Sequence, residues 1–267
     1  MEDYRGDSAP FLTRDVGGIP FNVCTPQEAA TWLLSVASQA PLPINVRLAN
    51  AYNVALASRD RAYFNLLRDN GTNFPDGAPV VWFMNRRRGQ RAGRVRGPSL
   101  FVRTLRESDQ SVSHFFLGST PRVLSQLEAN VKSRYPQAQI AGSFSPPFAQ
   151  IDEAYIELCA SEILKSNANL VWIGLGTPKQ DLIGARLSHR VGLPTVNVGA
   201  AFDFISGSVK EAPRWIQSSG FEWLYRLARE PRRLWKRYLV GNLQFLTSAA
   251  NGVIFSMKGN TRGDSNA

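Results

Sequence analysis

Asp76 is the residue of this sequence best placed to do chemistry, because it lies between a Phe-Pro step and a glycine, directly before an apolar run. Pro75 favours extended backbone at Phe74, and Gly77 can adopt the positive φ that turns the chain sharply. A carboxylate fixed on such a corner is suited to act as a general base, which removes a proton from a reacting hydroxyl group. On these residues alone, an ordinary Asp-Gly turn is the alternative.

The sequence contains few of the residues that other kinds of catalytic site need. Its 2 cysteines, Cys24 and Cys159, have neither metal-binding nor redox spacing, and we expect two buried thiols in a reducing compartment. The 2 histidines, His114 and His189, are too few for a zinc site or a Ser-His-Asp apparatus. No Asp-x-Asp motif occurs either, so we expect no metal site.

Positive charge is concentrated in two stretches, although the net charge of the whole chain is +10. Residues Arg86 to Arg106 include eight arginines and no acid, and Lys210 to Arg237 include eight basic residues against three glutamates. The rest of the chain is mildly acidic. Two local basic patches of this kind indicate partners that carry phosphate groups.

The elements that would position these residues alternate between strands and helices. Thr25-Pro26-Gln27-Glu28 is typical of a helix start with a capping box, and a helical stretch broken near Ser58 follows a strand at Ile44 to Leu48. From Val112 the alternation is regular, which predicts parallel pairing with right-handed crossovers in an α/β, Rossmann-like core. The strands of this part are predicted at 112–117, 139–142, 170–175 and 195–198, and its helices at 121–135, 152–166 and 176–189.

Three loops with small residues follow predicted strands. They are Gly118-Ser119-Thr120, Gly174 to Gln180, and Gly199 to Asp203. Ligands of parallel sheets bind at the carboxyl ends of strands, where backbone N–H groups and helix N-termini can approach a diphosphate closely. The three loops together favour a nucleotide site, and the alternative for any single loop is a glycine that simply turns the chain.

The C-terminal part differs in kind from the core. Aromatic residues alternate with arginines from Trp215 to Tyr238, and the twenty residues from Tyr238 to Met257 carry no charge. Two Asn, one Gln and two Gly make that segment a poor transmembrane helix. Its apolar stripe fits a helix lying on a membrane or packing on another subunit of a homo-oligomer, with packing on the core as the alternative. The stripe consists of Leu239, Leu243, Leu246, Ala250, Val253 and Met257.

We therefore divide the chain into four parts. Residues 1–17 are expected to be a flexible N-terminal arm with no signal peptide, and residues 18–209 the α/β core. Residues 210–257 form a helical, basic and aromatic appendage that docks on a membrane, and residues 258–267 a disordered tail.

Eight ordered motifs of the sequence resemble those of one family of enzymes. The chain is similar, from about Gly18 to about Leu246, to the WecG/TagA/CpsF family of bacterial glycosyltransferases (glycosyltransferase family 26). The motifs are Phe74-Pro75-Asp76-Gly77, Arg94-Val95-x-Gly97, Phe115-Phe116-Leu117-Gly118, Tyr135-Pro136, Gly174-Leu175-Gly176-Thr177-Pro178-Lys179-Gln180-Asp181, Gly199-x-x-Phe202-Asp203, Ala212-Pro213 and Glu222-Trp223-Leu224-Tyr225-Arg226-Leu227-x-x-Glu230-Pro231-x-Arg233.

The resemblance implies a reaction. Members transfer a sugar, with inversion, from a UDP-sugar to a lipid diphosphate-linked saccharide at the cytoplasmic face of the membrane, in the synthesis of cell-surface polysaccharides such as exopolysaccharide. It implies an enzyme bound peripherally to the inner membrane. N-acetylmannosamine, glucuronic acid and glucose are all compatible donor sugars. No cofactor besides the UDP-sugar substrate, and no metal, is expected.

The resemblance also implies roles for individual residues. Asp76 matches the catalytic base, Gln180 the glutamine at the sugar site, and Arg94 the arginine of the Arg-Val-x-Gly motif. Because no Asp-x-Asp motif is present to hold a metal, we expect Arg94, helix N-termini and backbone amides to stabilise the departing diphosphate. Asn50 matches the asparagine of a Thr-x-Asn motif. The sequence departs from the family pattern at two positions: Leu48 stands where many members have that threonine, and Asp181 where glutamate is usual.

The remaining expectations concern the donor, the acceptor and two rival functions. An RNA-binding protein would use the arginine and aromatic patches, and a non-catalytic membrane scaffold would keep the fold alone; we expect neither, and no nucleic-acid partner. The residues expected to bind the donor are Asn50, Gly118, Ser119, Gly174, Gly176, Lys179, Gly199 and Asp203. Those expected to bind the acceptor or an anionic membrane surface are Arg214, Arg226, Arg229, Arg232, Arg233 and Arg237.

Overall fold

The computed structural model describes residues 9–39, 42–86, 88–220, 222–229, 231–235, 241 and 244–249. Its fold is α/β with a Rossmann-like core, as the sequence predicts. Six parallel strands form one sheet in the order β4-β3-β8-β7-β5-β6, and an antiparallel hairpin pairs β1 with β2. The strands are β1 (Thr13–Val16), β2 (Ile19–Asn22), β3 (Asn45–Ala49), β4 (Thr72–Pro75), β5 (Ser113–Gly118), β6 (Gln139–Phe144), β7 (Leu170–Gly174) and β8 (Thr195–Asn197).

Helices cover both faces of the sheet, so its strands other than the edge strand β6 are mostly buried. In β7, Leu170 and Trp172 belong to one apolar core while Val171 and Ile173 belong to another, as the alternation of side chains along a strand requires. The helices are α1 (Pro26–Gln39), α2 (Ala51–Ala57), α3 (Arg61–Asp69), α4 (Ala78–Met84), α5 (Gly97–Glu107), α6 (Pro121–Arg134), α7 (Glu153–Leu164), α8 (Lys179–Val191), α9 (Ala201–Ser206), α10 (Arg214–Ser219), α11 (Glu222–Arg229) and α12 (Pro231–Trp235).

Two local predictions about helix ends are confirmed. The Thr25 hydroxyl accepts a hydrogen bond from the Glu28 N–H, and the Glu28 carboxylate accepts one from the Thr25 N–H, so the capping box starts α1. The helical stretch after β3 breaks at Ser58, where α2 ends, and Asp60 caps α3 by accepting from the Tyr63 N–H.

The structure differs from the predicted elements near the N-terminus. Residues 13–16, which we place in a flexible arm from the sequence, form β1 and pair with β2. The hairpin is ordered because Val16, Ile19 and Phe21 are buried in an apolar cluster with α2 and α3. The sequence also gives no prediction for β4, α4 and α9, each of which is seven residues or shorter.

Part of the C-terminal segment packs against this same cluster. Residues 244–249 are helical, and Phe245 and Ala249 are buried. The Phe245 ring lies 5.3 Å from the Phe83 ring, edge to face. Of the predicted apolar stripe only Leu246 is described, and it is 51% exposed. None of the helices in the described ranges is long and apolar enough to cross a membrane.

Candidate functional site

A cleft opens at the carboxyl ends of β3, β4, β7 and β8, where parallel sheets bind their ligands. The first turn of α4 and the start of α11 form two of its walls. Its lining residues include six that the sequence singles out as catalytic or donor-binding: Asn50, Asp76, Arg94, Gly176, Gln180 and Gly199.

Asp76 is held at the junction between β4 and α4. Its N–H donates to the Ala49 carbonyl at 2.8 Å, and the Pro75 carbonyl accepts from the Val95 N–H at 2.9 Å, so the backbone is tied on both sides. Gly77 caps α4 with φ of +117°, which is the left-handed turn expected there. The Asp76 side chain is 25% exposed and faces the cleft.

Arg94 lies beside Asp76 and is held by the C-terminal helices. Its Nη1 donates to the Gln217 carbonyl at 2.8 Å, and its Nη2 donates to Glu222 Oε2 at 2.7 Å. Its Nε lies 4.0 Å from Asp76 Oδ1. In the described part of the structure, this buried Nε has no hydrogen-bond partner.

Glu222 joins Arg94 to a second arginine, Arg96. Its Oε2 accepts from Arg96 Nε at 3.0 Å, and its Oε1 accepts from Arg96 Nη2 at 2.7 Å. The remaining guanidinium hydrogens of Arg96 go to Ser99, Gln217 and Glu211. Bidentate pairing of this kind fixes a guanidinium in one orientation.

The two carboxylates of this cluster are shifted in opposite directions. Burial raises the pKa of Asp76, the Arg94 charge opposes that rise, and the Glu222 charge adds to it. Burial also disfavours the charged form of Glu222, but its hydrogen bonds to Arg96 and Arg94 and their charges outweigh burial and lower its pKa. Glu222 therefore stays ionised while Asp76 can take up a proton.

Gln180 is fixed by two backbone groups from different loops. Its Oε1 accepts from the Gly176 N–H and from the Gly199 N–H, both at 3.1 Å. This arrangement orients the amide so that Nε2 is the end left to donate to another group, with no acceptor for it among the described residues. The side chain is buried at the floor of the cleft and belongs to the first turn of α8.

Asp181, the neighbour of Gln180, is not among the residues that line the cleft. It is buried, and its Oδ2 accepts from Tyr63 Oη at 2.7 Å and from Asn53 Nδ2 at 3.3 Å. Asn53 in turn accepts from the N–H of Asn50, which caps α2 at the edge of the cleft. Asp181 thus links the helix that carries Gln180 to the turn that carries Asn50.

Several residues expected to bind the donor are not among those that line the cleft. Gly118 and Gly174 lie where neighbouring strands end, and a Cβ at Gly118 would come within 2.7 Å of the Gly174 carbonyl oxygen. Ser119 follows in the left-handed region, with φ of 60°. The ammonium of Lys179 lies 4.4 Å from the centre of the Phe148 ring, and Asp203 lies in α9.

The basic residues of the C-terminal part occupy different places. Arg226 lines the cleft, with its guanidinium 5.6 Å from the centre of the Phe204 ring. Arg229 and Arg232 are exposed on α11 and α12. The side chains of Arg214 and Arg233, and the whole of Arg237, lie outside the described parts of the structure.

Residues to which we assign no role from the sequence also contribute to the cleft. Glu222 and Arg96 are the main ones, and Tyr52, Phe204 and Trp223 also line it. One signal was present for Glu222, since it is one of few acids in the second basic stretch while the first basic stretch has none. Among the residues with described positions, no cluster of His, Cys, Asp or Glu is suited to holding a metal ion.

Comparison with known proteins decides the family. The model of the glycosyl transferase WecG/TagA/CpsF family matches residues 14–258. The chain belongs to this family. It is therefore a glycosyltransferase, as the sequence predicts, and the cleft around Asp76 is its candidate active site.

One relative in the WecG/TagA/CpsF family comes from Bacillus subtilis (strain 168). It is 32% identical over 185 residues, which cover 68% of this chain and 70% of the relative. That protein is an N-acetylglucosaminyldiphosphoundecaprenol N-acetyl-beta-D-mannosaminyltransferase. Its name describes transfer of N-acetylmannosamine to a saccharide linked through diphosphate to undecaprenol.

Proposed function

We propose that this enzyme transfers a hexosyl residue from a UDP-sugar to a polyprenyl diphosphate-linked saccharide, with inversion and without a metal ion. The observation that carries the proposal is the Asp76 carboxylate, which faces the cleft beside an arginine that Glu222 fixes. We take N-acetylmannosamine as the first donor sugar to test, because the Bacillus subtilis relative transfers it. Glucuronic acid and glucose are the next candidates.

In the proposed reaction Asp76 is the general base. The acceptor hydroxyl oxygen attacks the anomeric carbon, its proton passes to the Asp76 carboxylate, and the bond from that carbon to the diphosphate breaks. UDP leaves with the electron pair from the opposite face of the sugar, which produces inversion. A base whose pKa is raised by burial holds the transferred proton more tightly than an exposed aspartate does.

The negative charge on the departing diphosphate must be stabilised by positive groups. We assign different roles to the two arginines Arg94 and Arg226 of the cleft. Both Nη groups of Arg94 are engaged by Glu222 and Gln217, which leaves its Nε to orient Asp76. Arg226 lines the same cleft and forms no ion pair with a described carboxylate. We therefore assign the diphosphate to Arg226 and to the N–H groups at the carboxyl ends of the strands.

The acceptor in this proposal is anchored in a bilayer, at the cytoplasmic face of the inner membrane. Arg229 and Arg232 are exposed, and in this proposal they bind anionic headgroups, each contributing about 1 kcal/mol near the surface. Arg214, Arg233 and Arg237 would add to this contact. The acceptor saccharide is one that leads to a cell-surface polysaccharide such as exopolysaccharide.

UDP release from a panel of UDP-sugars, with and without a polyprenyl diphosphate-linked N-acetylglucosamine acceptor, tests the proposal. We expect release that depends on both substrates, and a product whose new bond is inverted by nuclear magnetic resonance. A scaffold or an RNA-binding protein would release no UDP with any donor. Retention at the anomeric carbon would overturn the role of Asp76 as base.

A further inference from the structure

An exposed basic and aromatic surface lies at the end of α4, apart from the C-terminal appendage. It consists of Trp82, Arg86, Arg88 and Arg91, and we name it the rim surface. Trp82 is 58% exposed, and the three arginines are exposed as well. Across the described ranges, none of these arginines forms an ion pair with a carboxylate. Neither the fold nor the proposed chemistry uses this part of the first basic stretch.

The two ends of the loop that carries Arg86, Arg88 and Arg91 are held by hydrogen bonds. Arg14 donates to the Met84 carbonyl at 2.6 Å and to the Gln90 carbonyl at 2.7 Å, so it ties both ends of the loop to β1. Asn85 closes the loop, since its side chain both donates to the Ala92 carbonyl and accepts from the Ala92 N–H. These four bonds restrain both ends of the loop, so binding to it costs little further backbone conformational entropy.

The position of the rim surface relative to the cleft follows from helix geometry. Ala78 and Pro79 line the cleft, and Trp82 lies four and three residues after them in α4. Residues with these spacings share one face of a helix, so Trp82 lies one turn beyond the lining residues. The axial rise from Ala78 to Trp82 is about 6 Å. The Trp82 end of the rim surface therefore lies about one helical turn from the cleft.

We propose that the rim surface binds the anionic headgroups of a lipid bilayer, as a second membrane contact beside the appendage. Exposed arginines without acidic partners complement a negatively charged surface, and tryptophan is favoured at the level of the headgroups. Apolar surface lies next to it, since Phe83 beside Trp82 contacts Phe245, and the adjoining Leu246 is exposed. The Arg86 guanidinium lies 4.7 Å from the centre of the Trp82 ring. It covers a ring face on which a nucleic-acid base would stack, so lipid fits this surface better than RNA.

This contact has a consequence for the proposed reaction. Because α4 runs from the cleft to the rim surface, docking of its far end holds Asp76 near the depth of the headgroups. A diphosphate-linked acceptor presents its first sugar at that depth. This consequence rests on the proposed function, whereas the lipid binding itself does not.

The experiment compares full-length variants by sedimentation with vesicles of phosphatidylcholine, with or without phosphatidylglycerol. The test variant is Arg86→Glu/Arg88→Glu/Arg91→Glu, and Trp82→Ser is tested separately. The matched control reverses three exposed basic residues on α6, as Arg122→Glu/Lys132→Glu/Arg134→Glu. A further variant, Arg229→Glu/Arg232→Glu, reports the contribution of the appendage.

We expect the test variant to bind anionic vesicles about 100-fold more weakly than the wild type at low salt, since each basic residue near the surface contributes about 1 kcal/mol. Trp82→Ser should bind these vesicles several-fold more weakly than the wild type. The affinity of the α6 control should stay within about twofold of the wild-type value. The loss should shrink in high salt because exposed charges are screened. Turnover of a short, water-soluble acceptor analogue should be unchanged.

Two results would overturn the inference. In the first, the rim variants bind vesicles as the wild type does, and only the appendage variant loses binding. In the second, vesicle binding persists while binding to a single-stranded RNA is lost, which would make the rim surface a nucleic-acid contact. Vesicle binding is measured without turnover, so failure of the proposed reaction would show separately, as absence of UDP release.

Discussion

The Nε atom of Arg94 lies 4.0 Å from the Oδ1 atom of Asp76, and no described residue accepts a hydrogen bond from it. The other two nitrogens of the guanidinium are engaged by Gln217 and Glu222. A buried N–H left without a partner is costly, so a small movement that brings the Asp76 carboxylate within hydrogen-bond distance would be favourable. The pair is poised to align the carboxylate when substrates fill the cleft.

Replacing the proposed base should stop turnover while donor binding persists. Asp76→Asn keeps the shape of the side chain and removes its ability to take a proton, so we expect kcat to fall by about two to four orders of magnitude. UDP affinity, measured by calorimetry, should change by less than about threefold. A variant that transfers sugar at the wild-type rate would show that Asp76 is not the base.

The same substitution should stabilise the folded protein near neutral pH. The folded-state pKa of Asp76 is raised above its ordinary value of 3.8 by burial, so ionisation is less favourable in the folded than in the unfolded state. That penalty is absent below the unfolded pKa and complete above the folded pKa. Asp76→Asn should therefore melt at a higher temperature than wild type at pH 7, and the difference should vanish towards pH 3. Equal melting temperatures at both pH values would contradict this reasoning.

Glu222→Gln should lower turnover through its effects on Arg94 and on the pKa of Asp76. The substitution removes the charge that pairs Arg94 and Arg96, and it also removes a negative charge that raises the pKa of Asp76. We expect turnover to fall by about tenfold or more, and the acidic limb of the pH–rate profile to move to lower pH. Glu222→Asp should restore the position of that limb, at least in part. A profile that keeps its shape in Glu222→Gln would mean that Glu222 serves stability alone.

His114 should make the fold sensitive to acid without any part in the reaction. Its ring is buried, accepts from Trp172 Nε1 at 3.0 Å and lies 2.8 Å from Ser108 Oγ, so it is held neutral. Burial lowers the pKa of His114 from 6.5 to about 3. Stability is then complete above the unfolded pKa and is lost as pH falls from about 6.5 towards 3, by an amount on the order of 4 kcal/mol.

Denaturant unfolding at several pH values measures this loss, and the chain offers a matched control. His114→Gln should flatten the dependence of the unfolding free energy on pH between 6.5 and 4, whereas the exposed His189→Gln should not. If both variants keep the wild-type slope, carboxylates and not His114 cause the acid sensitivity.

Turnover should not require a divalent metal ion. The sequence has no Asp-x-Asp motif, and positive charge in the cleft comes from arginines such as Arg226. Activity in excess chelator should therefore stay within about twofold of the activity without chelator. Loss of activity that Mg²⁺ or Mn²⁺ restores would show that a carboxylate pair has been overlooked, with Asp203 the first to test.

Most of the sheet and its helices could be predicted from the sequence, because β5 to β8 and α6 to α8 are bounded by turn residues and show regular apolar patterns. The short elements could not be predicted. Residues Thr72–Pro75 form a strand only because they pair with β3 in parallel. Residues Thr13–Val16 form one only because they pair with β2 and pack in an apolar cluster. Four-residue segments contain too few positions to show a period.

Some residues of the candidate site could be predicted from the sequence, and others could not. Asp76 could be singled out because Pro75 and Gly77 mark its corner locally, whereas Gln180 is singled out by its place in a motif of the family that the chain resembles. Glu222 could not be given a role, because its contact with Arg94 joins positions 128 residues apart. The scarcity of acids in the second basic stretch draws attention to Glu222, but a single sequence does not show which arginine it will pair with after tertiary packing. The roles of these residues in the reaction stay predictions.

The link between Arg94 and Glu222 also sets an order of events during translation. Asp76, Arg94 and Gln180 leave the ribosome well before Glu222, so the nascent chain contains the proposed base and the proposed sugar-site glutamine while Arg94 and Arg96 still lack the Glu222 carboxylate. If Glu222 is needed to fix Arg94, the chain can become competent to transfer sugar only after Glu222 has been synthesised. A fragment that stops at Val209, whether from a premature stop codon or from proteolysis, would have Asp76 and Arg94 without Glu222, and we expect it to consume no activated sugar.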